Sequence, residues 1–294
     1  MKLAAEVLHN TRIKKYPNGK VHITVFSKDV YTRDGWEPSE DKLPDGTGYE
    51  LVWNDDGTFS IVKIDKDKKK YNLEDPRADN MRRAKGKIFD IALSNEWSYM
   101  LTLTLDKDKI DRFDSKAVVK PFTKWLNNMV HRKGLKYLIV PELHEDGAIH
   151  FHGLMNDVLD LVDSGTVKVP DYDKPIKIET AVSRGYDLSA PDVRTVYNVK
   201  NYHLGFSTAV KIDNNVEAVS KYMTKYTCKN FQKIFGQSFF AGGDINRELP
   251  SDTFDFNFHN VDAETFYLPD GLGAVKYILV DEDVFEVLKK EWSI

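Results

Sequence analysis

One cysteine, Cys228, stands in 294 residues, so no intrachain disulfide can form and no thiolate cluster can hold zinc. That scarcity suits a reducing compartment. No stretch approaches the ~20 apolar residues of a membrane span. The opening MKLAAEVLHNTRIKKY holds no apolar run long enough for a signal peptide. A cytoplasmic protein with no membrane partner is therefore expected. No G-x-x-x-x-G-K-[ST] segment occurs, so no nucleotide cofactor is expected and any unwinding of a duplex must come from another protein. Positive charge is not in excess either. With 42 Lys and Arg against 46 Asp and Glu, the net charge of −4 excludes indiscriminate binding to polyanions but leaves room for a local basic surface.

What is present divides into three stretches. Residues 1–75 alternate apolar and polar positions in VHITVFS and FSIVKI between turn formers such as PDGTG and NDDG, which predicts a β-rich N-terminal accessory region. Residues 76–245 form the central domain, and 246–294 a C-terminal extension. The central domain opens on RADNMRRAKGKIFDIALSN, with Met81, Ala84, Ile88 and Ile91 at helical spacing beside the basic residues Arg77, Arg82, Arg83, Lys85 and Lys87. SYMLTLTLD follows as a strand, with Met100, Thr102 and Thr104 on one face and the leucines on the other. Residues 115–133 read as a helix interrupted or started by Pro121. After a stretch (156–193) in which no element is assigned, RTVYNVKNYHLGFSTAVKI gives two strands and NNVEAVSKYMTKYTCKNFQK a helix. This order predicts an α+β fold, a central antiparallel β-sheet with flanking helices, carrying the β-rich N-terminal extension.

Between the two central helices lies PELHEDGAIHFHG, residues 141–153, with three histidines and three carboxylates around one glycine. Two short β runs flank Glu145, Asp146 and Gly147, a hairpin signal. With the turn centred on Asp146, residue 142 pairs with 150, 144 with 148 and 140 with 152. Glu142, His144, His150 and His152 then point to one face. Two imidazoles at i and i+2 with a carboxylate across the ladder make a divalent-cation site, Mg²⁺ or Mn²⁺ among the candidates. The alternative is a solvated strand edge or a nucleic-acid contact. His144, nearer the turn, is read as a DNA contact or a group behind the ligands.

A second constellation lies in SKYMTKYTCKNFQK. Tyr222 and Tyr226 are one helical turn apart, about 5–6 Å between Cβ atoms. Lys221, Lys225, Lys229 and Lys233 repeat at i+4 on the neighbouring face. Tyrosines at this spacing are commonly core and a lysine stripe commonly a solvated face. Like charges at i+4 nevertheless destabilise a helix slightly, a cost that a phosphate backbone would offset.

Together these segments resemble the HUH superfamily of rolling-circle replication initiators (Rep endonucleases) of the two-tyrosine type, found in small single-stranded DNA phages, plasmids and integrated elements. HFH at 150–152 resembles the histidine, hydrophobic, histidine signature, and YMTKYTCK two tandem copies of Y-x-x-K. MLTLTLD and YHLGFSTAVKI resemble the family's first strand and its glycine-bearing strand, with Tyr202 where tryptophan is usual. The resemblance covers about residues 80–233. It implies an origin-nicking enzyme in the cytoplasm of a bacterial host. Tyr222 and Tyr226 would be its nucleophiles, assisted by Lys225 and Lys229, and His150, His152 and Glu142 would hold the metal ion. A 5′-phosphotyrosine would form and a free 3′-hydroxyl would prime synthesis. The implied partners are single-stranded origin DNA and a host helicase and DNA polymerase, with His144, Lys221, Arg82, Arg83 and Lys87 on the DNA. A mobilisation relaxase or single-strand transposase would share this chemistry, and a non-catalytic DNA-binding regulator would share the fold.

Overall fold

The computed structural model describes residues 7–32, 49–53, 59–63, 78–172, 174–212, 223, 234–255, 257, 262–263, 265–267 and 274–291. In chain order the strands are β1 (Val7–Lys15), β2 (Lys20–Thr32), β3 (Tyr49–Trp53), β4 (Phe59–Lys63), β5 (Tyr99–Leu105), β6 (Tyr137–Leu143), β7 (Ile149–Met155), β8 (Leu161–Lys168), β9 (Ile176–Lys177), β10 (Arg194–Val199), β11 (Gly205–Lys211), β12 (Phe240–Gly242), β13 (Ser251–Phe254), β14 (Thr265–Tyr267) and β15 (Ala274–Asp281). The helices are α1 (Ala78–Leu93), α2 (Ser115–Lys133), α3 (Ile178–Ser183) and α4 (Glu282–Glu291).

The chain forms two units. One joins residues 1–14 and 21–75 to 251–294. Its five-stranded sheet has the order β13-β1-β2-β15-β14, so the two flanks of the central domain share one sheet. Ile13, Val21, Ile23, Val25 and Phe285 are its buried core.

The other unit comprises residues 15–20 and 76–250. Its eight-stranded sheet runs β12-β6-β7-β5-β11-β10-β8-β9, every neighbour antiparallel. The α+β class is as the sequence predicts. Alternation along the strands divides the core in two. Leu101, Leu103, Leu105, Ile139, Phe151 and Met155 face α2 and meet Val118, Phe122, Trp125 and Met129. The Phe151 ring stacks on Phe122 with centroids 3.8 Å apart. Tyr202, in place of the family's tryptophan, packs edge-on against Trp125 at 5.1 Å. On the opposite face Leu138, Val140 and Leu154 bury Ile88, Ile91 and Ala92 of α1, with Trp97 and Met223.

Asp114 caps α2, its side chain accepting from the Lys116 N–H, and Gly134 closes it in the left-handed region at φ 69°. The helix passes through Pro121, which neither starts nor ends it. The stretch 156–193 holds β8, β9 and α3, which the sequence pattern leaves unassigned. LVDSGTVK alternates poorly and exposes most of its residues, so the hydrophobic period that marks a strand is weak there.

Gly205 sits where β11 meets β5. A Cβ there would collide with the Thr104 carbonyl oxygen and lie 2.6 Å from the Asp106 nitrogen. These are backbone atoms of a paired strand and cannot swing aside. Gly205→Ala is expected to destabilise this unit by about 1–3 kcal/mol, read as a lower urea midpoint. An unchanged midpoint would contradict the close approach.

Candidate functional site

The β6–β7 hairpin is built locally. The Gly147 N–H donates to the His144 carbonyl at 2.8 Å, and Gly147 turns left-handed at φ 83°. The His144 N–H then donates to the Ala148 carbonyl at 2.8 Å. This is a three-residue loop with glycine at its left-handed position, and it sets the register. Asp146 holds the loop twice, accepting from the Ala148 N–H at 3.0 Å and from the Arg112 guanidinium at 3.0 Å. The Ala148 bond, and after it the Arg112 charge, hold the Asp146 carboxyl below its usual range.

Glu142 consequently lies opposite His150, and Val140 opposite His152. Glu142, His150 and His152 share the sheet face that packs on α1, while Phe151 goes into the other core. The His152 Nε2 is 2.7 Å from a Glu142 carboxylate oxygen, and both side chains are largely buried. His144 stacks on His150 with ring centroids 4.9 Å apart. Burial first, then the neighbouring His144 and His152, lower the His150 pKa and favour its neutral form.

Two residues not singled out for the site complete it. β5 pairs with the other edge of β7, setting Thr102 opposite His152 and Thr104 opposite His150. Their hydroxyls lie 3.3 and 3.4 Å from the respective Nδ1 atoms. The alternation of LTLTL puts both threonines on one face, but nothing local says that this face adjoins the histidines.

In kind, the donors suit a divalent cation: one carboxylate and two imidazoles. A threonine hydroxyl can accept from Nδ1–H, which leaves Nε2 with its lone pair free to ligate. Among the described residues, however, no three His, Cys, Asp or Glu side chains are gathered closely enough to hold an ion. The Glu142–His152 hydrogen bond accounts for part of this, because an ion shared by the pair would take the place of the proton between them. The donors therefore fit in type and face, with a small opening of that pair required.

Of the expected DNA-binding residues, Arg82, Arg83 and Lys87 lie on α1, Arg83 exposed and Lys87 four residues on along the same helix side. Tyr222, Tyr226, Lys221, Lys225 and Lys229 lie outside the described residues. Met223, between them in sequence, is helical and fully buried on the histidine face among the α1 and β6 residues.

A large antiparallel sheet with few helices and a His-x-His strand near its centre is an arrangement compatible with the HUH endonuclease fold. Residues 98–230 match the family of replication-associated proteins of the ORF2 and gene 2 protein type, and the chain carries a domain of that family, consistent with a rolling-circle replication initiator. The match runs from the residue before β5 through β11 to beyond Tyr226. No curated protein and no solved structure matches the chain. Among the described residues no helix is long and apolar enough to cross a membrane.

Proposed function

We propose that the protein is a metal-dependent, site-specific single-strand DNA endonuclease and ligase that initiates rolling-circle replication. The observation that carries this reading is the hairpin register, which sets Glu142, His150 and His152 on one sheet face inside a replication-associated domain. Met223 adds support, because the chain meets that same face one residue from Tyr222.

Tyrosine, with an unperturbed pKa of about 10, is a weak nucleophile at neutral pH and needs a polarised target. A divalent ion held by Glu142, His150 and His152 would supply that polarisation by withdrawing charge from the scissile phosphate. The tyrosine oxygen attacks phosphorus and loses its proton. The P–O3′ bond breaks, and the departing 3′-oxygen takes up a proton. A 5′-phosphotyrosine and a free 3′-hydroxyl result. The covalent link keeps the phosphodiester's free energy, so rejoining needs no ATP. Lys225 and Lys229 neutralise phosphate charge. Thr102 and Thr104 orient the imidazoles. Single-stranded origin DNA is the substrate, and a host helicase and DNA polymerase take up the strand.

The test is incubation with single-stranded oligonucleotides spanning the replicon's own origin, with Mg²⁺ or Mn²⁺ and with chelator, followed by denaturing electrophoresis. A metal-dependent covalent protein–DNA band is expected. Tight DNA binding with no adduct in any metal would instead identify a non-catalytic regulator, the role in which the Glu142–His152 pair stays closed.

The basic side of α1 gives an independent expectation. Replacing Arg82, Arg83 and Lys87 by glutamine should weaken binding to single strands of any sequence. It should also flatten the salt dependence by about 0.7 in log–log slope for each phosphate no longer neutralised. An unchanged slope in a salt titration would place the phosphate track elsewhere.

A further inference from the structure

Phe206 is the most exposed large apolar side chain among the described residues, at 70%. A lone surface phenylalanine is ordinary; its place in the sheet is what sets this one apart. It is the second residue of β11, where Gly205 brings the backbone so close to β5 that no other side chain fits. That approach pins Phe206 opposite Thr104. Thr104 lies opposite His150, and His150 opposite Glu142. Phe206, Thr104, His150 and Glu142 are thus one cross-strand row on one face, since directly paired residues share a face. With strands about 4.8 Å apart, Phe206 lies about 10 Å from His150 along the row. Thr104 beside it and Thr208 two residues on are too short to cover the ring, so the aromatic face is open next to the cluster.

We infer that Phe206 is a stacking platform for one base of single-stranded DNA, seated beside the phosphate held at Glu142, His150 and His152. This rests on the function proposed above. Stacking suits the position for three reasons. A ring raised from a rigid sheet loses little conformational freedom on binding. Every base has a π-face, so one aromatic serves any sequence. Sheet-borne aromatics are also an established way of holding splayed single-stranded bases. The platform takes a nucleobase, while the neighbouring cluster takes its phosphate.

The test measures binding of the full chain to fluorescent origin oligonucleotides and to an oligo(dT) of the same length. Phe206→Ala is expected to lose about 5- to 150-fold in affinity, the range of one base–aromatic stack converted to a binding ratio. Phe206→Leu should lose nearly as much, because it keeps apolar bulk without a planar face, whereas Phe206→Trp should bind as well as the original. The salt slope should not change, since every cation facing a phosphate is kept. Abasic substitution at one nucleotide should weaken the original protein and leave Phe206→Ala unaffected.

Equal affinity of the original and Phe206→Ala would overturn the inference while leaving the nicking function standing. So would full binding by Phe206→Leu, or a change confined to oligomeric state. Absence of single-strand binding by the original protein would overturn both.

Discussion

The doubly substituted Tyr222→Phe, Tyr226→Phe protein is expected to form no covalent complex with single-stranded origin DNA, while each single variant keeps part of the nicking activity. One nucleophile is enough to open a strand. A complete round of rolling-circle synthesis must also cut the regenerated origin while the first phosphotyrosine still holds the 5′ end. A second hydroxyl one helical turn away can do that within the same site. Both tyrosines should therefore form adducts in alternation, with Lys225 and Lys229 each neutralising the phosphate near the preceding tyrosine. Termination should suffer in either single variant. Mass spectrometry of adducts on short origin oligonucleotides checks this. Adducts confined to one tyrosine in both cleavage steps would sink the alternating scheme and leave the other as a packing residue.

His150→Ala or His152→Ala should abolish cleavage in both Mg²⁺ and Mn²⁺ and leave most single-strand binding in place. Each removes an imidazole that the β6–β7 register sets on the Glu142 face. Glu142→Ala should weaken metal affinity more than DNA affinity. His144→Ala should be milder, because His144 is exposed and touches the cluster only by stacking on His150. Thr102→Val and Thr104→Val should fall between, with activity lower by about 10–100-fold, as is usual when the group orienting a ligating histidine is removed. Metal titration beside a nicking assay separates these effects. Cleavage that persists in excess chelator would remove the metal from the mechanism altogether.

The tyrosine helix and the hairpin differ in how far sequence alone could carry them. For PELHEDGAIHFHG the amino acids determined nearly everything: Asp146 and Gly147 close a three-residue loop, and strand alternation then sends Glu142, His150 and His152 to one face and Phe151 to the other. Each of those steps acts over a few residues, so no distant partner was needed. The same holds for α2, where Asp114 and Gly134 mark both ends. The pairing of β5 with β7 was a different matter. It joins residues 46 to 50 positions apart, and with it the threonines behind both histidines came into the site.

β11 beside β5 likewise decided that Phe206 stands in the same row as Glu142. Pairing of β1 with β13 put the two ends of the chain into one sheet, although in sequence they read as separate flanks. Strand neighbours of this kind are chosen by which faces can be buried together over the whole chain. A one-residue slip would turn a strand's entire apolar set outward. The alternation within a strand therefore names its two faces but not its neighbour, and only the assembled sheet brought the threonines and Phe206 to the histidines.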